Sequence, residues 1–361
     1  MIKVLVVDDS ALMRKHLGQI LEEAGFKVCM ARNGVEALQE LHHFQPDVIS
    51  LDINMPDMDG LTALSRIMVE RPTPVVMVSS LTEKGAIATF EALALGAVDY
   101  LCKPGGTISL NIQQLRDEIV SKLRTASKAR IRKTRGLAER IREENRRTNV
   151  DKRPASSATV TTSRGTMMAR GKGLVVIGVS TGGPRTLEDI LPNLPADFPW
   201  PVVIAQHMPA NFTGAFARRM DALCRLQVVE VTRPMLLTQG MVYLGRGGAD
   251  LVLSSRSSGI HVVSVPENNQ YLWHPSVELL MRSALEHFRP TQLIGVLLTG
   301  MGYDGAEAMT ELHRRGGWTI AESEETAVVY GMPAELVERG GANLVLPSHQ
   351  VAIQLIGRLN G

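Results

Sequence analysis

The chain has 361 residues, which is enough for two ordinary domains with separate cores. Hydrophobic residues make up 44% and charged residues 21%, as in a soluble globular protein, and the 4% of aromatic residues argues against a surface that stacks on bases or sugars. No run reaches the roughly 18 apolar residues that a membrane span needs, so we expect a cytoplasmic protein without direct membrane insertion. Three scattered cysteines without metal or redox spacing agree with a reducing compartment.

The first part of the chain alternates short apolar runs with segments of helical periodicity. This alternation predicts a parallel sheet flanked by helices, and five such units predict a flavodoxin-like α/β domain over residues 1–124. The five apolar runs are residues 4–7, 27–30, 48–51, 75–78 and 98–102.

Polar residues follow four of these runs where each predicted strand ends. Asp8 and Asp9 follow the first run, Asp52 the third, Ser79 the fourth and Lys103 the fifth. Parallel strands present their carboxyl ends at one edge, so these groups should converge there. Three carboxylates in one place repel one another unless a cation joins them, and Mg²⁺ with oxygen ligands is the natural candidate. A carboxylate beside Mg²⁺ can accept a phosphoryl group, although Asp8 and Asp9 could instead cap a helix.

These residues, together with the segments DINMPDMDG and VDYLCKP, closely resemble the receiver domain of response regulators over about the first 120 residues. The resemblance implies that a chemotaxis-type histidine kinase phosphorylates Asp52. It also implies that Asp8, Asp9, Asp52 and Asn54 hold the metal. The implied switch pair and phosphoryl contact are Ser79, Tyr100 and Lys103, the last preceding Pro104.

A basic segment separates the two halves. Residues 116 to 153 contain fourteen Lys or Arg against six Asp or Glu, and Pro, Ser, Thr and Gly dominate residues 154 to 172. Residues 125–172 are therefore predicted to form a basic, flexible linker. A regulator that binds a partner or nucleic acid through this segment is the alternative. It would need a recognition helix or an aromatic platform, and neither is found, so no nucleic acid is expected as a partner.

The strand and helix alternation resumes over residues 173–361. The pattern predicts a second, doubly wound, mainly parallel α/β domain that carries a small β-rich insert at about residues 241 to 265. The apolar runs of the main sheet are residues 174–179, 202–205, 226–231, 293–299, 318–321 and 343–346.

The first strand of this domain leads into the segment VIGVSTGGPRT, residues 176 to 186. The loop could cradle a phosphate, but it has neither the Gly-x-Gly-x-x-Gly pattern nor a Walker lysine. It also fits a nucleophile elbow, in which Gly178 and Gly182 leave room for a turn that exposes Ser180. Ser180 could alternatively cap the helix that begins near Pro184.

A serine nucleophile needs a histidine and an acid. His207 follows one apolar strand and Asp304 lies in a glycine-rich loop after another, so parallel-sheet geometry would gather both beside Ser180. Taken alone, His207 could be structural and Asp304 could be a helix cap. Together they favour a Ser-His-Asp triad in a chain order unlike that of α/β-hydrolases. The backbone N–H of Met301 is the expected oxyanion donor.

The segments IGVSTGGP, AQHMP, LLTGMGYDGA and VVYGMP closely resemble the catalytic domain of chemotaxis protein-glutamate methylesterases, from about Gly173 onwards. The resemblance implies that Ser180, His207 and Asp304 cleave glutamyl methyl esters on methyl-accepting chemoreceptors, with no cofactor for the hydrolysis. It also implies deamidation of receptor glutamines.

This sequence departs from the family's pattern in two places. The segment HPSVE, His274 to Glu278, stands where Arg-Pro-Ser-Val-Asp is expected, and Asp250 stands where a histidine is frequent. Both departures concern the fit of the substrate rather than the ester chemistry.

Overall fold

The computed structural model describes residues 1–79, 82–103, 115–131 and 173–360. Pro104 and residues 132–172 of the predicted linker lie outside them. The described parts, Met1–Ile131 and Gly173–Gly361, belong to one compact unit. No helix in the described ranges is long and apolar enough to cross a membrane.

The N-terminal part is a five-stranded parallel sheet with the strand order β2-β1-β3-β4-β5. This arrangement confirms the predicted flavodoxin-like topology. The chain places β2 on one side of β1 and the later strands on the other side. A cleft therefore forms at the carboxyl ends of β1 and β3. The strands are β1 Lys3–Val7, β2 Lys27–Ala31, β3 Val48–Asp52, β4 Val75–Ser79 and β5 Asp99–Cys102, and the helices are α1 Ala11–Glu23, α2 Gly34–His43, α3 Gly60–Glu70, α4 Glu83–Leu95 and α5 Arg116–Ala126.

Local sequence explains these boundaries. Strands β3 and β4 are buried along their whole length, as expected for inner strands covered on both faces by helices. The helices α1 to α4 each begin after a residue whose side chain accepts a hydrogen bond from the first turn. These N-caps are Ser10, Asn33, Asp59 and Thr82.

The C-terminal part contains a seven-stranded parallel sheet with the order β15-β14-β13-β6-β7-β10-β8. The prediction of a second doubly wound domain is confirmed. The order in which strands are added to the sheet reverses between β6 and β13. The strands are β6 Leu174–Val179, β7 Val202–Gln206, β8 Gln227–Val231, β10 Met241–Gly245, β13 Leu293–Leu297, β14 Trp318–Glu322 and β15 Leu344–Leu346, and the helices are α6 Gly183–Ile190, α7 Ala210–Leu223, α8 Val277–His287, α9 Ala306–Arg314, α10 Met332–Glu338 and α11 Ser348–Asn360.

The small β insert is present, but its bounds differ from the prediction. It consists of β9 Met235–Leu236, β11 Asp250–Arg256 and β12 Gly259–Val265, which pair antiparallel. Strand β10, assigned to the insert from sequence, instead lies between β7 and β8 of the main sheet. The central residues of β10 are buried, as expected for an inner strand between two neighbours.

The two parts meet through aromatic side chains. The ring of Phe212 on α7 stacks on Tyr100 of β5, with centroids 4.7 Å apart, and meets Phe90 of α4 edge-on. Phe216, one helical turn later, lies 5.3 Å from the Phe90 ring. These four rings are buried, so the α4 and β5 face of the first part is a packed interface.

Candidate active site

Ser180 lies at the carboxyl end of β6, at the point where the strand order of the sheet reverses. Its N–H donates to the carbonyl of Thr299 at 2.9 Å, and its own carbonyl accepts from Gly183 at 2.8 Å. Gly182 has a φ of 81°, and a Cβ there would lie 2.6 Å from the Cβ of Val328. Only glycine suits such a turn, which leads directly from the strand into α6.

His207 follows the neighbouring strand β7, in register with Ser180. Val179 of β6 pairs with Gln206 of β7, and the His207 N–H donates to the Val179 carbonyl at 3.0 Å. The Gln206 amide donates at 3.0 Å to the carbonyls of both Ser180 and His207. Gln206 was not predicted from sequence. Its amide links the backbone of Ser180, which follows β6, to the backbone of His207, which follows β7.

His207 and Asp304 form a buried pair. The His207 Nε2 lies 2.8 Å from the Asp304 Oδ2, and their side chains are 9% and 2% exposed. The carboxylate also accepts hydrogen bonds from the Ser276 hydroxyl at 3.0 Å and from the N–H groups of Val277 at 2.7 Å and Glu278 at 2.9 Å. Asp304 is therefore held at the N-terminus of α8, where a negative charge is favoured.

The other nitrogen of the imidazole has no hydrogen-bond partner among the residues that the structure describes. His207 Nδ1 is buried without a hydrogen bond in the described part of the chain. Because Nε2 donates its hydrogen to the Asp304 carboxylate, Nδ1 is left as the proton acceptor. The structure thus brings His207 and Asp304 into contact and places Ser180 at the adjacent strand end, with no hydrogen bond from the serine hydroxyl to Nδ1.

Met301 belongs to the loop that follows β13 and passes close to Ser180. The Gly300 N–H donates to the Val329 carbonyl at 3.0 Å, and a Cβ on Gly300 would lie 2.7 Å from the Ser180 Cβ. The Met301 sulfur accepts hydrogen bonds from two hydroxyls of α5, those of Thr125 at 2.8 Å and Ser121 at 3.3 Å. The loop carrying the predicted oxyanion donor is therefore in contact with the first part of the chain.

Trp273 forms one side of the site and was not predicted to do so. Its ring is parallel to the His207 ring, with an interplanar angle of 1° and centroids 5.7 Å apart. Tyr303, which is 52% exposed, meets Trp273 edge-on at 5.2 Å. Gly302 has a φ of 84°, and a Cβ there would lie 2.6 Å from the Trp273 ring, so this close approach requires glycine.

The two departures from the family's pattern contact each other. His274 Nδ1 lies 3.1 Å from both carboxylate oxygens of Asp250, which is completely buried. The sequence marked both positions as unusual, but only the fold shows that they form a pair. Glu278 is also partly enclosed, and its pKa is raised because burial disfavours the carboxylate, although the Ala308 N–H and Arg282 oppose this.

The predicted acidic cluster lies at the other cleft, beyond β1 and β3. One ligand atom from each of Asp8, Asp9 and Asp52 lies within 4.8 Å of the others. The Lys103 ammonium lies 2.7 Å from Asp52 and 3.0 Å from Asp8. Oxygen donors in this arrangement suit Mg²⁺. Asn54 is exposed, two residues beyond Asp52.

Burial affects the charges of this cluster. It raises the pKa of Asp52, an effect that Lys103 opposes and the charge of Asp8 reinforces. Burial also disfavours the charged form of Lys103, but the hydrogen bond and charge of Asp52, with the charge of Asp8, outweigh it and raise the pKa of Lys103. The ammonium therefore stays protonated beside the carboxylates.

Ser79 and Tyr100, the implied switch pair, are both buried. The Ser79 hydroxyl donates to the Gly85 carbonyl at 3.1 Å. The Tyr100 hydroxyl is buried without a hydrogen-bond partner among the described residues, and burial raises the pKa of Tyr100 well above its usual value. Its ring, stacked on Phe212, places this residue at the interface with α7.

Comparison with known proteins finds a family match for each of the two parts of the chain. The family described as CheB methylesterase matches residues 175–355, and the response regulator receiver domain matches residues 4–113. The chain belongs to the CheB methylesterase family and carries a receiver domain. The two resemblances inferred from the sequence motifs are therefore confirmed.

Relatives with this description match nearly the whole of this chain. A protein-glutamate methylesterase/protein-glutamine glutaminase of Rhodospirillum rubrum is 57% identical and covers 98% of this chain and 95% of its own. A protein of the same description from Rhodopseudomonas palustris is 55% identical, with coverage of 99% and 98%. The crystal structure of the CheB methylesterase catalytic domain of Thermotoga maritima is 38% identical, covers 52% of this chain and 98% of that one, and has a TM-score of 0.50.

Proposed function

We propose that this chain hydrolyses glutamyl methyl esters on methyl-accepting chemoreceptors, with release of methanol, and that phosphorylation of its receiver domain controls the reaction. The proposal rests on the contact between His207 and Asp304, on the unpartnered Nδ1 of His207, and on the position of Ser180 at the end of the neighbouring strand. Deamidation of glutamine side chains would use the same groups, because an amide carbonyl differs from an ester carbonyl only in its leaving group.

The proposed reaction starts with attack of the Ser180 oxygen on the ester carbonyl carbon. His207 Nδ1 takes the serine proton and passes it to the departing methoxide, which leaves as methanol. The glutamyl group is then esterified to Ser180. Water attacks this ester while Nδ1 takes one of its protons. The bond between the glutamyl carbon and the serine oxygen then breaks, Nδ1 returns the proton to that oxygen, and the glutamate carboxylate leaves. Asp304 keeps the hydrogen on Nε2 and stabilises the imidazolium.

The negative oxygen of each tetrahedral intermediate needs N–H donors. Met301 is our candidate because the preceding residue, Gly300, packs directly against Ser180. No acceptor among the described residues takes the Met301 N–H, so it is available for an oxyanion. A preorganised backbone donor at this position would stabilise the transition state more than the substrate.

The receiver domain is proposed to restrict access to Ser180 while it is unphosphorylated. Three of its contacts lie next to the site: Asp99 with the Thr181 hydroxyl, α5 with the Met301 sulfur, and Tyr100 with Phe212. Tyr100 lies in β5 and Lys103 directly follows this strand. A change at Asp52 can therefore reach this interface over a short distance. We expect phosphorylation to weaken these contacts and expose the serine.

Phosphorylation requires a donor and a metal site. We propose that a histidine kinase supplies the phosphoryl group and that Asp8, Asp9, Asp52 and the Asn54 carbonyl hold Mg²⁺. When bound, Mg²⁺ would neutralise charge on the incoming phosphoryl oxygens. Lys103, 2.7 Å from Asp52, is placed to contact those oxygens, and Ser79 and Tyr100 are the proposed switch residues.

Methanol release from methylated receptor membranes tests the proposal. The full chain, activated with Mg²⁺ and beryllofluoride, should release methanol, whereas Ser180→Ala should not. Ser255→Ala, which alters an exposed serine on β11, is the matched control and should behave as the unmodified chain. Equal release by Ser180→Ala would contradict the nucleophile, and activation that survives Asp52→Asn would contradict the phosphorylation site.

A further inference from the structure

The segment from Asn268 to Ser276 is closed by one buried carboxylate. Asp250 is completely buried at the start of β11 and accepts the N–H of Asn268 and the N–H of Ser276, each at 2.8 Å. His274, inside the segment, donates to the same carboxylate from Nδ1 at 3.1 Å. Asp250 therefore holds both ends of the segment and one side chain between them.

The same segment supplies two of the contacts that support the reacting pair. Trp273 stacks on the ring of His207. Ser276 donates its hydroxyl hydrogen to Asp304 Oδ1 at 3.0 Å, and its oxygen also accepts from the Leu279 N–H at 3.2 Å, which caps α8. One face of the imidazole and one oxygen of its acidic partner thus depend on residues that Asp250 anchors.

In the described part of the chain, His274 is the one basic side chain in contact with Asp250. A buried carboxylate is costly unless it is hydrogen-bonded and paired. Removing the His274 donor leaves Asp250 with its two backbone donors alone, and the part of the segment that carries Trp273 is then held less firmly. Small displacements of catalytic groups lower rates strongly, since reaction needs near-attack geometry.

We infer that Asp250, paired with His274, is a positioning residue that holds Trp273 against His207 and Ser276 against Asp304. This inference rests on the proposed function, because its consequence is the alignment of the groups that act on the ester. It explains why the two departures from the family's pattern occur together in this chain: they make up one contact.

The first test compares His274→Ala with His274→Asn in the activated full chain. An asparagine amide can take the place of Nδ1 and donate to Asp250, whereas alanine cannot. We expect His274→Ala to lower kcat by about tenfold with KM changed less than about twofold, and His274→Asn to restore most of the rate. Equal rates for the two variants, or a loss that appears only in KM, would overturn the inference.

The second test needs no ester substrate. In a chain carrying Trp200→Phe and Trp318→Phe, Trp273 is the sole tryptophan, and its emission should change when the stacked His207 is protonated. The change should disappear in His207→Gln, persist in His274→Asn and disappear in Asp250→Asn. Persistence of the change in Asp250→Asn would overturn the inference.

The two tests separate the positioning role from the reaction. If the unmodified chain released no methanol, the proposed function would fail, while the emission of Trp273 would still decide whether Asp250 positions the segment. Far-ultraviolet circular dichroism of Asp250→Asn identifies a variant that does not fold, in which case His274→Ala in the single-tryptophan chain takes its place and should also lose the emission change.

Discussion

The hydroxyl of Thr181 donates a 2.7 Å hydrogen bond to the carboxylate of Asp99, so the residue after the proposed nucleophile is tied to β5 of the receiver domain. The other oxygen of Asp99 accepts from the Tyr100 N–H at 2.8 Å and lies 3.4 Å from the Lys122 ammonium on α5. The Asp99 carboxylate is therefore held in place by residues of the receiver domain. Its hydrogen bond with Thr181 joins the two parts of the chain directly.

Loss of this hydrogen bond should raise the activity of the unphosphorylated chain. Thr181→Val keeps the shape of the side chain and removes the donor, and a hydrogen bond to a charged group contributes about 1.5 kcal/mol or more. We expect methanol release without activation to rise about tenfold. Thr181→Ser, which keeps the hydroxyl, is the control. A fully activated rate that differs more than about twofold from the unmodified chain would instead place Thr181 in the chemistry.

Asp304 should matter for stability as well as for rate. Its carboxylate accepts four hydrogen bonds, and an asparagine cannot accept all of them because one oxygen becomes a donor. We expect Asp304→Asn to lower kcat about a thousandfold or more and the free energy of unfolding by about 1–3 kcal/mol. Urea unfolding and methanol release measure the two effects.

His207→Gln separates these two effects. It should abolish activity with a change in unfolding free energy of less than about 1 kcal/mol, since Asp304 keeps its three other donors. A stability loss as large as that of Asp304→Asn would show that the pair is chiefly structural.

Glu278 should make stability depend on pH. Burial raises its pKa above 4.5, so the folded chain binds this proton more tightly than the unfolded chain. Stability from this group is present below the unfolded pKa and is lost as the pH rises through the folded pKa. Glu278→Gln, which resembles the protonated form, should therefore be more stable than the unmodified chain at pH 7. The difference should shrink towards pH 4, as measured by urea unfolding. A difference that stays constant with pH would contradict this origin.

Asp9 should contribute to magnesium affinity without contributing to the core. It is exposed, whereas Asp8 and Asp52 are buried. Asp9→Asn removes one anionic ligand, and we expect calorimetry to show Mg²⁺ affinity weakened by up to about tenfold, with unchanged thermal unfolding in the absence of metal. Glu22→Gln, which neutralises an exposed acid on α1, should leave the affinity unchanged. Unchanged affinity in Asp9→Asn would place the metal elsewhere.

The strand ends were predictable because parallel sheets follow a simple rule. Apolar runs identify inner strands, and the polar residue after each run lies at the same edge of the sheet. This reasoning placed Asp52 beside Asp8 and His207 beside Ser180 without any tertiary information. It failed for β10, whose apolar run of four residues fits an antiparallel insert and an inner parallel strand equally well. Only the neighbours β7 and β8 distinguish the two.

The sequence by itself determined the two α/β domains, the residues at their strand ends and the family, because periodicity and short motifs are local properties of the chain. The tertiary structure alone decided which side chains support those residues. Asp250 with His274, Trp273 with His207, and Asp99 with Thr181 are contacts between separate segments. Such contacts depend on the angles at which loops leave the sheet and on the packing of helices over it, and no local pattern encodes either.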